Sequence, residues 1–154
     1  MDTTIETHSP AAAGSRVAAI APASPLFAAR HFLSQLAFET DPSDLAADLA
    51  ADIGGLVVVD VRQAWAFAEA HIPGAVNLPH ATIDEATTAD LDRSALYVTY
   101  CWDPACNASR RGAANLASLG FRVKELVGGL AAWRAEGFAV KGTDAAATEE
   151  ACAC

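Results

Sequence analysis

Apolar residues along the chain recur first at helical spacing and then in short unbroken runs, the alternation expected of strands linked by helices. Ser24-Pro25 reads as an N-cap followed by proline at the first helical position, and Leu26, Phe27, His31, Phe32 and Leu36 then repeat at helical spacing through Phe38. Asp41-Pro42 opens a second helix in the same way, with Leu45, Leu49 and Ile53 on one face until Gly54-Gly55. Residues 56–59 form a continuous apolar run bounded by glycine and Asp60, the pattern of a strand covered on both faces. Residues 62–70 read as a helix, His71-Ile72-Pro73-Gly74 as a turn and 75–78 as a second strand, with a further helix expected after His80. Residues 96–100 form a third strand, 109–119 a helix stopped by Gly120, and 121–125 a fourth strand; Gly128-Gly129 lead into a last helix through Trp133. This alternation predicts an α/β sandwich with a central, mainly parallel sheet flanked by helices.

The length of 154 residues, with 53% hydrophobic and 19% charged, suits one sizeable core and is too short for two ordinary domains. Residues 1–22 read as a flexible leader, 23–141 as the folded domain and 142–154 as a mobile acidic tail. About a quarter of the residues are alanine, which signals helix or a compositional bias. The formal charge of −9 argues against nucleic acid or an anionic membrane as partner. No basic segment precedes the first apolar run, and residues 56–76 are broken by Asp60, Arg62, Glu69, His71 and Pro73, so neither a secretory signal nor a membrane span is expected. Cysteine is absent from the first hundred residues, which favours reduced thiols in a soluble cytoplasmic protein over a disulfide scaffold.

Cys101 directly follows a strand and precedes a loop that enters a helix carrying Ser109, Arg110 and Arg111 in its first turn. Inward-pointing loop amides, the helix dipole and nearby guanidinium groups at such a place favour a thiolate. The competing reading is a buried cysteine that ends a strand. Cys106, five residues on, is expected as a small loop residue packed under Asn107, with a disulfide or resolving-thiol role sterically open. Cys152 and Cys154 read as an incidental mobile end; their spacing and that of the loop cysteines do not suit zinc, and no metal or cofactor is expected. His8, His31, His71 and His80 read as solvated, packed or capping residues. Trp65 and Phe67 are expected in the core and at its rim, and Trp102 as a wall of the Cys101 pocket or a shield of it from water.

The segments VVVDVR, HIPGAVNLP, YVTYC and GFRVKELVGGLAAW, in this order and spacing, resemble the rhodanese-like family of sulfurtransferases over residues 50–140. The resemblance implies a three-layer α/β fold and a catalytic Cys101 that carries a sulfane sulfur as a persulfide. It makes Trp102, Asp103, Pro104, Ala105, Cys106, Asn107, Ala108 and Ser109 the active-site loop, with Arg110 or Arg111 assisting an anionic donor. Asp60 and Arg62, then His71, Pro73, Gly74 and Asn77, and finally Gly128, Gly129 and Trp133 match motifs of mainly structural role. The implied reaction moves sulfur from a thiosulfate-type donor to cyanide or a thiol, with a protein acceptor also open. The segment from Cys101 to Gly120 is two residues longer than the common single-domain pattern. A wider loop is similar to that of the related cell-cycle phosphatases, but Asn107 stands where those enzymes place an arginine, which removes their transition-state clamp. A non-catalytic or partner-dependent module that regulates or carries sulfur, a thiol redox protein using Cys101 and Cys106 and, less favoured, a phosphatase-like enzyme are the alternatives.

Overall fold

The computed structural model describes residues 14–144. The chain divides into two compact units, Met1–Gln35 and Leu36–Cys154. His8 and most of the expected leader, and Cys152 and Cys154 in the expected tail, lie outside the described residues.

A 3-10 turn at Val17–Ala19 precedes helix α1, Pro25–Phe38. Helix α1 forms as its spacing predicts but buries no side chain; Phe27, Phe32 and Leu33 are exposed, as is His31. Helix α2, Pro42–Ala50, starts as expected, with Asp41 Oδ1 accepting from the Asp44 N–H at 2.8 Å and proline in its first turn. It ends before the predicted Ile53 because Asp52 takes a left-handed φ of 51°, and Ile53 is exposed.

The remaining elements are strands β1 (Glu39–Thr40), β2 (Leu56–Asp60), β3 (Val76–Asn77), β4 (Leu96–Tyr100) and β5 (Arg122–Leu126), with helices α3 (Ala64–Glu69), α4 (Ala108–Ser118) and α5 (Gly129–Ala135). The five strands form one sheet in the order β1-β5-β4-β2-β3, every neighbouring pair parallel. Strand β1 is absent from the sequence expectation because its two residues become a strand only by pairing with β5. No helix follows His80: a 3-10 turn at His80–Thr82 leads into a loop in which Thr87 Oγ1 donates to the Thr82 carbonyl (2.7 Å) and Thr88 Oγ1 to the Asp84 carbonyl (2.7 Å). Such local bonds compete with a helical ladder.

Strand β4 shows how the layers form. Val98 and Tyr100 point into one cluster with Leu45 of α2 and Leu130 and Trp133 of α5. Tyr97 and Cys101 point the opposite way, into a second cluster with Leu116 of α4, Ile83 and Phe121. Both sheet faces are thus covered, which is why residues 56–59 of β2 read as an unbroken apolar run and β4 has buried side chains on both faces, Thr99 included. Helix α4 comes close because Gly112 has no side chain: a Cβ there would lie 2.6 Å from Val61 Cγ1.

At the end of β2 lies a buried ion pair. Arg62 falls before α3 instead of on it, and its guanidinium meets Asp60 through Nε (2.9 Å) and Nη2 (2.6 Å), while Nη2 also donates to the Ala70 carbonyl at 2.5 Å. Asn77 Nδ2 ties the backbone carbonyls of Asp60 (3.0 Å) and Arg62 (2.9 Å) to β3. Among the described residues no helix is long and apolar enough to cross a membrane. Because Asp60 is fully buried, Arg62→Met should strand its carboxylate and lower stability by about 3–5 kcal/mol in urea denaturation, with much of the loss recovered in the Asp60→Asn/Arg62→Met pair. A loss of the single variant below about 1 kcal/mol would contradict a fold-holding role for the pair.

Candidate active site

Strand β4 delivers Cys101 to the carboxyl edge of the sheet, the usual place for ligands in parallel α/β folds. Cys101 is 2% exposed, on the face covered by α4. The loop beyond it is shaped by a tight turn. The Cys106 N–H donates to the Asp103 carbonyl at 3.1 Å, and Asp103 Oδ1 accepts from the N–H groups of Ala105 (2.8 Å) and Cys106 (3.2 Å). Asp at the first position and Pro104 at the second are what such a turn favours.

The turn folds Cys106 back onto Cys101, with Cα atoms 6.3 Å apart and the two sulfurs joined in a disulfide. This departs from the expected reduced thiols and from a Cys106 packed under Asn107. A separation of five residues leaves the direction of the second side chain undefined until the turn is built. Cys106 is half-buried against the same cluster that holds Cys101.

Helix α5 fixes the start of the loop from the other side. The N–H groups of Leu130 and Ala131 donate to the carbonyls of Cys101 (2.9 Å) and Trp102 (2.8 Å). Gly129 makes this contact possible: it takes a φ of +58°, and a Cβ there would lie 2.5 Å from the Cys101 carbonyl oxygen. Gly128 has φ +76°, and Trp133 is buried with its indole N–H donating to the Ala139 carbonyl at 2.8 Å.

Trp102 stands beside Cys101, 37% exposed, with the Arg62 guanidinium carbon 4.2 Å from its ring centroid and the Trp65 ring 5.9 Å away. Trp65 is 66% exposed, so it extends this aromatic wall and is not in the core. It sits on the outer side of a short helix whose buried position is Ala66. Arg62 Nη1 is a buried donor without a partner among the described residues. Below it, the Tyr100 hydroxyl accepts from the Ile72 N–H at 3.1 Å, and burial, reinforced by Asp60, pushes its pKa well above the ordinary phenol value. Tyr100 is therefore neutral at physiological pH. In the turn, the His71 ring stacks on Phe67 at 3.9 Å between centroids, and Gly74 takes a φ of +80°. Both lie in the scaffold and not on the loop.

The basic residues of α4 are placed less favourably for an anion than their positions suggest. Arg110 Nε meets Glu125 Oε2 at 3.1 Å and the Ser109 hydroxyl donates to Glu125 Oε1 at 2.6 Å. Arg111 is exposed. A cavity of about 60 Å³ between this group and the Asp103-Pro104 turn is bordered by Glu39, Asp103, Glu125 and Gly129 as well as Arg110. Glu125 is not among the sequence candidates; it is the penultimate residue of β5, whose sequence RVKEL has no regular apolar alternation to flag it. The N–H groups of Trp102, Asp103, Asn107, Ala108, Ser109 and Arg110 have no acceptor among the described residues. These are the donors left for a negatively charged group at the loop. Among the described residues no cluster of His, Cys, Asp or Glu is arranged to hold a metal ion.

The same architecture occurs in known proteins. A model of the rhodanese-like domain matches residues 42–136. A Pseudomonas entomophila protein named thiosulfate sulfurtransferase GlpE is 41% identical over 88 residues, covering 56% of this chain and 77% of that one. The crystal structure of a Bacillus halodurans protein superimposes with a TM-score of 0.75 at 48% identity, covering 77% of this chain and 87% of that one. The solution structure of a rhodanese-like domain from an Anabaena protein gives a TM-score of 0.61 at 30% identity, over 68% of this chain and 78% of that one. With a strand-end cysteine, an Asp-Arg pair after β2 and a Gly-Gly entry to α5 all in place, the chain belongs to the rhodanese-like domain family.

Proposed function

We propose that the protein is a rhodanese-type sulfurtransferase in which reduced Cys101 carries the transferred sulfur. The observation that supports this reading best is the position of Cys101, at the carboxyl end of β4 and at the base of a loop held on both sides. In the first half-reaction the Cys101 thiolate attacks the sulfane sulfur of a thiosulfate-type donor, the sulfur–sulfur bond of the donor breaks, and sulfite leaves with the electron pair. In the second, cyanide or a thiol attacks the outer sulfur of the persulfide and the Cys101 thiolate is restored. The disulfide form blocks this nucleophile, so a thiol reductant must open it before the first turnover.

Backbone dipoles, more than side-chain charge, suit the task of holding the anionic persulfide. The unoccupied N–H groups of the loop are free to donate to sulfur, whereas Arg110 already faces Glu125. The name of the Pseudomonas entomophila relative favours thiosulfate as a donor, and Asn107 at the phosphatases' arginine position disfavours phosphate chemistry.

Cys101→Ser should reduce thiocyanate formation from thiosulfate and cyanide to the uncatalysed rate while leaving the circular dichroism spectrum intact. Retained turnover in that variant would remove Cys101 from the reaction. Gly129→Ala tests the loop mounting. Its Cβ cannot coexist with the Cys101 carbonyl as placed, so the loop must move by up to about an ångström, and kcat/KM should fall by roughly 100-fold with the fold retained. An unchanged kcat/KM would show that the α5 contact does not position the nucleophile.

A further inference from the structure

We propose that Cys106 is a resolving thiol: it discharges the Cys101 persulfide within the loop, releasing hydrogen sulfide and leaving the Cys101–Cys106 disulfide. The inference rests on the persulfide reading above and supplies it with an internal acceptor. If Cys106 only lined the loop, its sulfur would have no need to meet the nucleophile. Instead the two sulfurs are bonded, with Cα atoms 6.3 Å apart, inside the range that needs no backbone distortion.

The approach of the two residues does not depend on that bond. Cys106 is held by its own N–H, which donates to both the carbonyl and the carboxylate of Asp103, and Pro104 fixes the turn between them. Cys101 is held by the end of β4 and by the Leu130 N–H on its carbonyl. None of these contacts involves sulfur, so opening the disulfide leaves Cys106 beside Cys101. External acceptors must enter a loop at whose base the nucleophile is 2% exposed, while Cys106 is already there. An attached thiol then competes as an intramolecular nucleophile with a high effective concentration.

The step balances without an outside oxidant. The Cys106 sulfur attacks Cys101 Sγ, the bond between Sγ and the outer sulfur breaks, and that sulfur leaves with the electron pair and takes up the proton of the Cys106 thiol as hydrogen sulfide. The two cysteine thiols together lose two electrons and the sulfane sulfur gains them. A dithiol reductant then reopens the disulfide by exchange. Over a cycle, thiosulfate and a dithiol become sulfite, sulfide and a disulfide. The protein thereby feeds a reaction that consumes sulfide, and draws on one that supplies reduced dithiols.

The test uses the reduced full-length protein, freed of reductant and mixed with excess thiosulfate. Sulfite and sulfide are assayed, and the peptides carrying all four cysteines are mapped after alkylation. Wild type should release about one sulfide per sulfite and finish with Cys101 joined to Cys106. In Cys106→Ser the ratio of sulfide to sulfite should fall by about tenfold or more, with the persulfide retained on Cys101. Equal ratios in the two proteins, or a wild-type protein that keeps its persulfide while Cys106 alkylates freely, would overturn the role of Cys106. The wild-type mapping decides this even if the variant fails to fold. Absence of sulfite from both proteins would instead overturn the persulfide reading, and the discharge step with it.

Discussion

Two backbone hydrogen bonds, from the N–H groups of Leu130 and Ala131 to the carbonyls of Cys101 and Trp102, hold the site together. They turn the Cys101–Trp102 and Trp102–Asp103 peptide planes so that their carbonyls face α5, and a peptide whose carbonyl is held has its N–H direction fixed as well. The contact requires backbone against backbone, and only a residue without Cβ at position 129 allows it. The other features serve this mounting. Parallel pairing of β4 with β2 and β5 fixes where the strand ends, and the buried Asp60–Arg62 pair holds the neighbouring strand end and the face of Trp102.

Charge is distributed differently from what a net value of −9 and two adjacent arginines suggest. Glu125 takes Arg110 and Ser109, and Asp103 spends its carboxylate on the amides of Ala105 and Cys106. An exposed pair such as Arg110–Glu125 contributes little to stability, about 0–1 kcal/mol, but it lowers the positive field at the loop. In the proposed reaction an anionic sulfur on Cys101 would therefore rely on the backbone amides of the loop more than on Arg110.

The parts of the fold legible in the sequence are those where local pattern and burial agree. Strand β2 carries an unbroken apolar run and β4 a run of β-branched and aromatic residues because both sheet faces are covered, and α2 announces itself through Asp41-Pro42. The strand-to-loop pattern singles out Cys101, and the resemblance to the rhodanese-like family adds the Asp60–Arg62 motif and the Gly-Gly turn. What was not legible depends on contacts between distant segments. Strand β1 exists only through β5. The expected helix after His80 lost to threonine side chains that bond local carbonyls. Trp65 looked like core by residue type but lies on the outer side of a six-residue helix. For Cys106, the Asp103-Pro104 turn signal was present, but its consequence, a sulfur aimed back at Cys101, emerges only when the turn is set against the end of β4.

The chemical reading reduces to one claim, that the loop beyond β4 holds a sulfur atom on Cys101 against its backbone amides. The most direct measurement is a crystal structure of the reduced Cys106→Ser protein treated with thiosulfate, in which the internal acceptor is missing. The account predicts one additional sulfur bonded to Cys101 Sγ, lying within hydrogen-bond reach of the loop N–H groups. An unmodified Cys101, or a sulfur carried on Cys152 or Cys154 instead, would contradict it.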